Sequence, residues 1–240
     1  MVNVIGLIGA TGLIGKHLSN HINPDVSYTS KNIETLSNNK FEVLYCAAPS
    51  GNRLTANTNP ENDSNAITKL IAQLLTVKTN QFVLISTVDT LHSPTTTYGG
   101  NRLILENFVK QNFPNNIVIR LPTLIDLTIK KNILFDLKNK KYLDSINLLQ
   151  QCQWYPLSLL YQDIQQIVSN NVADVNLVSE PIINQEIIDK LFTNFEKMPT
   201  NFKKSDPYNL ICNCAKLFNN DTYRLTKEQI FEYMIDYVQS

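Results

Sequence analysis

Apolar and polar positions along the first half of the chain follow two periods in turn. Residues 2–8 (VNVIGLI) are a short apolar run that ends in glycines, which predicts a buried strand. Residues 13–22 then place Leu13, Ile14, Leu18 and Ile22 on one face of a helix. Strands are predicted over 25–30 and 41–48, the latter stopped by Pro49-Ser50-Gly51 and followed by a polar loop over 52–62. Residues 63–77 read as an amphipathic helix with Asp63 as N-cap. A strand over 81–87, a helix over 98–113 despite Gly99 and Gly100, and a strand over 116–122 complete the series. Strands alternating with helices predict an α/β fold: a doubly wound parallel sheet with right-handed crossovers.

Beyond Pro122 the rhythm weakens. Helices are predicted over 130–140, 158–170, 184–195 and 226–238, with extended pieces at 153–157 and 175–179. Thr226 and Gln229 have the spacing of a capping box for the last helix. These elements suit a small mixed α/β subdomain interleaved with the sheet.

Composition narrows the function. The net charge is zero and no basic block occurs, which argues against nucleic-acid or anionic-membrane partners. No apolar run reaches the ~20 residues of a membrane span. The glycine-studded start lacks the charged segment of a signal peptide, so a cytoplasmic location is expected. Cys46, Cys152, Cys212 and Cys214 have no paired zinc spacing and read as reduced thiols. No histidine cluster suggests a metal.

Glycine is scarce, 7 in 240 residues, yet Gly6, Gly9, Gly12 and Gly15 crowd the first fifteen positions. Gly9-Ala10-Thr11-Gly12-Leu13-Ile14-Gly15 falls between a predicted strand and a predicted helix, the setting of a dinucleotide-binding turn. One glycine makes the turn, one lets a pyrophosphate approach and one lets the helix pack. The helix N-terminus offers unpaired N–H groups to the phosphates. Residues 1–125 are therefore expected to bind a dinucleotide and residues 126–240 to bind the substrate. After the second strand, "SYTSKN" offers Ser30, Lys31 and Asn32 and no acid, which favours NADP, with NAD possible.

The GxxGxxG spacing resembles the extended branch of the short-chain dehydrogenase/reductase superfamily. "VLYCAAP" is similar to the family segment where Ala47-Ala48 would lie beside adenosine, and "FVLISTVDTL" to the strand with the catalytic Ser/Thr. "YGGNRLILENFV" resembles the catalytic Tyr-x-x-x-Lys helix, and "IVIRLP", "LLYQDI" and "VNLVSEPI" resemble later segments of the sugar-nucleotide epimerase/dehydratase group. The resemblance implies Tyr98 as proton-transferring group, Thr87 as hydroxyl donor to the substrate oxygen, and Arg102 where the family has lysine. It also implies a substrate pocket near Ser86, Arg120, Asn132, Gln153, Trp154 and Tyr155, and a nucleotide-sugar substrate. Competing readings make Arg102 only a partner of Glu106, Arg120 only an ion-pair partner, and Trp154 only packing. His92 reads as a solvated loop residue.

Hydride transfer with reduction or epimerisation is thus expected. Dehydration is the least expected outcome, because Val88 separates Thr87 from the nearest acid, Asp89. The alternative is a non-catalytic, dinucleotide-binding redox sensor on the same fold. A homodimer through Leu70, Ile71, Leu74, Leu103 and Phe108 is possible, although the same residues suit a core.

Overall fold

Strands of two to ten residues alternate with helices of four to sixteen, the longer helices being amphipathic. The computed structural model describes residues 3–192, 199 and 201–240. In chain order these include β1 (Ile5–Ile8), α1 (Leu13–Ile22), β2 (Val26–Tyr28), β3 (Lys40–Cys46), α2 (Arg53–Thr58) and α3 (Pro60–Leu74). There follow β4 (Lys78–Thr87), α4 (Asp89–His92), α5 (Thr97–Asn112), β5 (Asn116–Leu121), β6 (Thr123–Ile125) and α6 (Ile133–Lys138). The rest are β7 (Gln151–Cys152), β8 (Trp154–Pro156), α7 (Leu160–Ser169), β9 (Asp174–Asn176), β10 (Ile182–Ile183), α8 (Asn184–Leu191) and α9 (Lys227–Gln239).

Two compact units divide the chain. The first takes residues up to Arg120 together with Leu160–Val175; the second takes Leu121–Leu159 and Asn176–Ser240. The main sheet has strand order β2-β1-β3-β4-β5-β9. Strand β1 pairs in parallel with β2 on one side and β3 on the other, so that Ile8 lies opposite both Tyr28 and Cys46. The winding direction therefore reverses between β1 and β3. In doubly wound sheets that reversal opens a crevice at the carboxyl ends of the strands, where ligands bind. Only β2 lies beyond β1, one strand fewer than the six-stranded 3-2-1-4-5-6 order has on that side.

Strand and helix side chains interlock to form the first unit's core. Ile8, Leu44, Cys46, Phe82, Leu84 and Val118 meet Leu70 and Leu74 of α3 and Leu105 and Val109 of α5. Each fully buried leucine contributes about 1.5–3 kcal/mol. Four of the five residues considered for a dimer interface belong here: Leu70 and Leu74 are buried, while Ile71 and Phe108 pack against the cluster.

The polar stretch after β3 is not a loop throughout. Asn52 Oδ1 accepts from Thr55 N–H and starts α2, a short helix whose apolar content is too sparse to announce it. Helix α3 also begins earlier than expected, with Asn59 as N-cap and Pro60 in its first turn. Asp63 therefore lies inside the helix, and its carboxylate is available to partners elsewhere.

In the second unit β6 pairs with β8 in parallel and β7 with β10 antiparallel. Helix α9 starts with the expected capping box of Thr226 and Gln229 and packs on β6 and β8. Of the helix expected over 184–195, α8 ends at Leu191, and residues 193–195 lie outside the described residues.

Candidate active site

Three glycines at the end of β1 serve three different purposes. Gly9 has φ +86°, and a Cβ there would stand 2.5 Å from the Ala47 carbonyl oxygen at the end of β3. A Cβ on Gly15 would stand 2.0 Å from the Gly9 carbonyl oxygen, so helix α1 can close on the turn only without a side chain. Gly12 differs: a Cβ there would meet nothing nearer than the Gly9 oxygen at 3.4 Å. The protein's own packing does not require glycine at position 12, and the space beside it is open for a ligand.

Helix α1 has Gly12 as N-cap, without a side-chain cap and without an acidic residue in its first turn. Its leading N–H groups at Leu13, Ile14 and Gly15, together with the helix dipole, are suited to an anion. Ala10 and Thr11 form the turn, and Ala10 N–H donates to the Tyr28 carbonyl. Ala47 and Ala48 lie alongside, where Ala47 N–H donates to Ile8 O at 2.9 Å. The turn, its helix and the end of β3 thus form one cradle that fits a dinucleotide pyrophosphate.

Beyond β2 the chain bends through an Asn32-centred turn. Asn32 Oδ1 accepts from Thr29 N–H at 2.7 Å, and Asn32 Nδ2 donates to Ser27 O. This closure leaves Ser30 and Lys31 exposed at the strand's carboxyl end. The nearby acids are engaged elsewhere: Asp25 accepts from Ile5 N–H ahead of β2, and Glu34 pairs with Lys69.

Tyr98 reaches Thr87 because α5 sits tightly on α4. Gly99 explains the closeness: a Cβ there would lie 2.2 Å from Ser93 O and 2.6 Å from Asp89 O. Helix α5 is capped by Thr96 and additionally held by Asn57, whose Oδ1 accepts from Tyr98 N–H at 2.9 Å. Tyr98 is buried, and its phenol hydrogen-bonds the Thr87 hydroxyl. Thr87 Oγ1 also accepts from Asp89 N–H at 3.2 Å. Burial pushes the Tyr98 phenol above its ordinary range; the charge of Asp89 adds to that, while Arg102, Thr87 and Arg53 oppose it. Asp89 is itself buried, with an Arg53 nitrogen 3.6 Å from its carboxylate. His92, expected on a loop, ends α4.

Arg102 is buried rather than solvated, and its partner is not Glu106. Its Nη1 donates to the Asp63 carboxylate and to Tyr98 O, its Nη2 donates to Ser50 O at 2.7 Å, and its guanidinium lies 4.0 Å from the Tyr98 ring centre. Glu106, fully buried, instead pairs with Arg120 at 2.5 Å and accepts from the Ser86 hydroxyl at 2.6 Å. Arg120 extends the network to Thr90 and Asp174. The expectation that Arg120 is an ion-pair partner therefore agrees with the structure. Ser86, expected in the substrate pocket, commits its hydrogen to this network behind Thr87.

The remaining expected pocket residues belong to the second unit. Asn132 is the N-cap of α6, with φ +95°; its Oδ1 accepts from Phe135 N–H and its Nδ2 donates to Leu124 O. Gln153 donates to Ser179 O and Leu210 O and accepts from Leu210 N–H, so its amide is used within the unit. Trp154 and Tyr155 are fully buried; among the described residues the Trp154 indole N–H meets no acceptor.

Sequence reasoning missed Arg53, Asn57 and Asp89 as neighbours of Tyr98, and Asp63 as the partner of Arg102. Asn59-Pro60 followed by acids is a helix-start signal that would have moved the cap and freed Asp63. Nothing local marks Asn57. Its role follows from the packing of α2 on α5.

No family model matches the chain, and no curated protein sequence matches it significantly. Solved structures do share its fold. One is the UDP-glucuronic acid 4-epimerase of Bacillus cereus in complex with a fluorinated UDP-glucuronic acid and NAD. It is 15% identical over 98% of each chain, with a TM-score of 0.71. The NAD-dependent NDP-hexosamine 5,6-dehydratase TunA is 12% identical over 99% of this chain and 98% of its own, with a TM-score of 0.72. The dTDP-4-dehydrorhamnose reductase of Yersinia enterocolitica is 12% identical over 99% of each chain, with a TM-score of 0.64. The chain thus has the doubly wound fold found in these extended short-chain dehydrogenase/reductases.

Proposed function

We propose that this chain is a nicotinamide-dinucleotide-dependent reductase or epimerase that acts on a hydroxyl or carbonyl carbon of a nucleotide sugar. The observation that carries the reading is the hydrogen bond between the Tyr98 and Thr87 hydroxyls, in the same unit as the Gly12 cradle. The similar folds of enzymes solved with UDP-sugars and NAD support the substrate class.

The first turn of α1 would hold the pyrophosphate, Ala47 and Ala48 would border the adenosine, and Ser30 and Lys31 would meet a ribose 2′-phosphate. That last pair supports NADP over NAD. When bound, the nicotinamide supplies hydride transfer. The chain's own residues manage the proton and the oxygen. Thr87 hydrogen-bonds the substrate oxygen, and Tyr98 gives or takes its proton. Burial keeps Tyr98 protonated in the free chain, the form needed to donate to a carbonyl oxygen. In the reverse direction Tyr98 must act as the phenolate, the proton-accepting form, which the positive charges of Arg102 and Arg53 favour.

Arg102 also supports a second reading. Its fork binds Asp63, Ser50 and Tyr98, whereas the family's lysine binds cofactor ribose, so a dinucleotide-responsive binding protein without turnover is the alternative. Calorimetry with NADP and NAD, followed by turnover of a panel of UDP-sugars, separates the two. The enzyme reading expects dinucleotide binding and Tyr98-dependent turnover. Binding with no turnover of any sugar in the panel would favour the sensor.

A further inference from the structure

The segment 211–217 carries thiol chemistry that the proposed oxidoreductase site does not use. Cys212 and Cys214 approach with their sulfurs 3.7 Å apart in an S–H···S hydrogen bond. A turn closed by Ala215 N–H to Cys212 O at 3.1 Å holds them together. A bridge needs Cα atoms within ~4.4–6.8 Å of each other, a span that residues two apart in a bent chain can meet.

The turn is anchored on both flanks. Cys212 N–H donates to Thr222 O at 2.8 Å, Asn176 Nδ2 donates to Ile211 O, and Asn176 N–H donates to Asn213 Oδ1 at 3.1 Å. Arg224 is held by its N–H to Val178 O and by stacking on Phe218 at 4.2 Å, and its charge acts on Cys212. Cys212 and Cys214 are buried, while Ile211, Asn213 and Lys216 beside them in the same segment are exposed.

We propose that Cys212 and Cys214 form a reversible dithiol site for small-molecule disulfides, with Cys212 as attacking thiolate and Cys214 as resolving thiol. The environment of Cys212 agrees. The hydrogen bond from Cys214 holds its thiol below the usual range, and backbone N–H groups of Cys214 and Val178 and the charge of Arg224 act in the same sense. Cys46 shows the opposite case: burial pushes its thiol up to about 12.

The step balances without any other reactant. The Cys212 thiolate attacks one sulfur of R–S–S–R, the old S–S bond breaks, and one RS⁻ leaves and takes up a proton. Cys214 then loses its proton and attacks the Cys212 sulfur, which closes the Cys212–Cys214 bond and expels the second RS⁻. Two protein thiols are oxidised and one small-molecule disulfide is reduced to two thiols. The protein sulfurs must close from 3.7 Å to ~2.05 Å.

The test treats the folded full chain with glutathione disulfide, then alkylates with iodoacetamide and maps the peptides by mass spectrometry. The expected result is a peptide carrying Cys212 and Cys214, unalkylated and lighter by two hydrogen atoms, while Cys46 stays free of glutathione. Dithiothreitol should restore both alkylations. Cys214→Ser should stop at a glutathione adduct on Cys212, and Cys212→Ser should leave Cys214 open to alkylation. Full alkylation of both residues in the treated native chain would overturn the proposal. So would a Cys214→Ser chain, folded by circular dichroism, that carries no adduct on Cys212. The test does not depend on dinucleotide binding or on sugar turnover.

Discussion

Arg102 lies with its guanidinium 4.0 Å from the centre of the Tyr98 ring, on the same helix face one turn on. Asp63 of α3 and the Ser50 carbonyl fix it there. The arginine therefore ties three segments together around the candidate proton-transferring group.

Removing that tie should cost stability before it costs chemistry. Arg102→Ala leaves the half-buried Asp63 carboxylate bonded to the Asn101 amide but without its cation, a change expected to cost about 1.5–3 kcal/mol, the scale of a hydrogen bond to a charged group. Arg102→Lys keeps the charge and loses the fork, at about 1–2 kcal/mol. Urea denaturation of the singles and of the Asp63→Ala/Arg102→Ala double should show a positive coupling. Additive losses would mean that the pair does not act as a unit.

Tyr98→Phe should lower hydride transfer about 10²–10⁴-fold without changing the dinucleotide Kd. Thr87→Ala should be damaging to a smaller degree. Steady-state rates beside calorimetry decide it; an unchanged rate in Tyr98→Phe would remove the enzyme reading.

The pH dependence follows from the direction of the Tyr98 shift. Burial raises its pKa above the ordinary value of about 10, so the phenol form persists through neutral pH. The reductive rate, which uses the phenol, should be flat from neutral pH upward and fall only in the strongly alkaline range. The oxidative rate, which uses the phenolate, should climb with pH. Arg102→Gln removes a charge that favours the phenolate and should depress the oxidative rate at pH 8 more than the reductive one. Matched pH profiles in the two directions measure this.

The glycine turn gives a paired test of binding against folding. Gly15→Ala must drive a methyl group into the Gly9 carbonyl oxygen, 2.0 Å away, and should lose cooperative unfolding. Gly12→Val meets open space, should unfold cooperatively and should bind no dinucleotide. Equal NADP affinity in Gly12→Val and the parent chain would dissociate the cradle from binding.

Lys31 distinguishes the cofactors. Lys31→Ala should weaken NADP about tenfold, the scale of one charged hydrogen bond, and leave NAD unchanged. Equal weakening of both would place Lys31 elsewhere.

The sequence alone determined the strand–helix alternation of the first half, because the buried strands and amphipathic helices there are regular and their stops are explicit. It also determined the glycine turn, where backbone contact at Gly9 and Gly15 admits no side chain, and the placement of Thr87 and Tyr98 at the ends of their elements. Helix α1 and the Thr226–Gln229 cap came out as the pattern requires, since local hydrogen bonds set them. Which partners the charged residues chose was a matter for tertiary structure. Helical spacing made Glu106 the natural partner of Arg102, four residues away, yet α5 turns Glu106 toward Arg120 of β5 and Arg102 toward Asp63 of α3. The elevated phenol of Tyr98 has the same origin: the motif offered only a nearby cation, whereas burial, a long-range property of the packed chain, outweighs that charge.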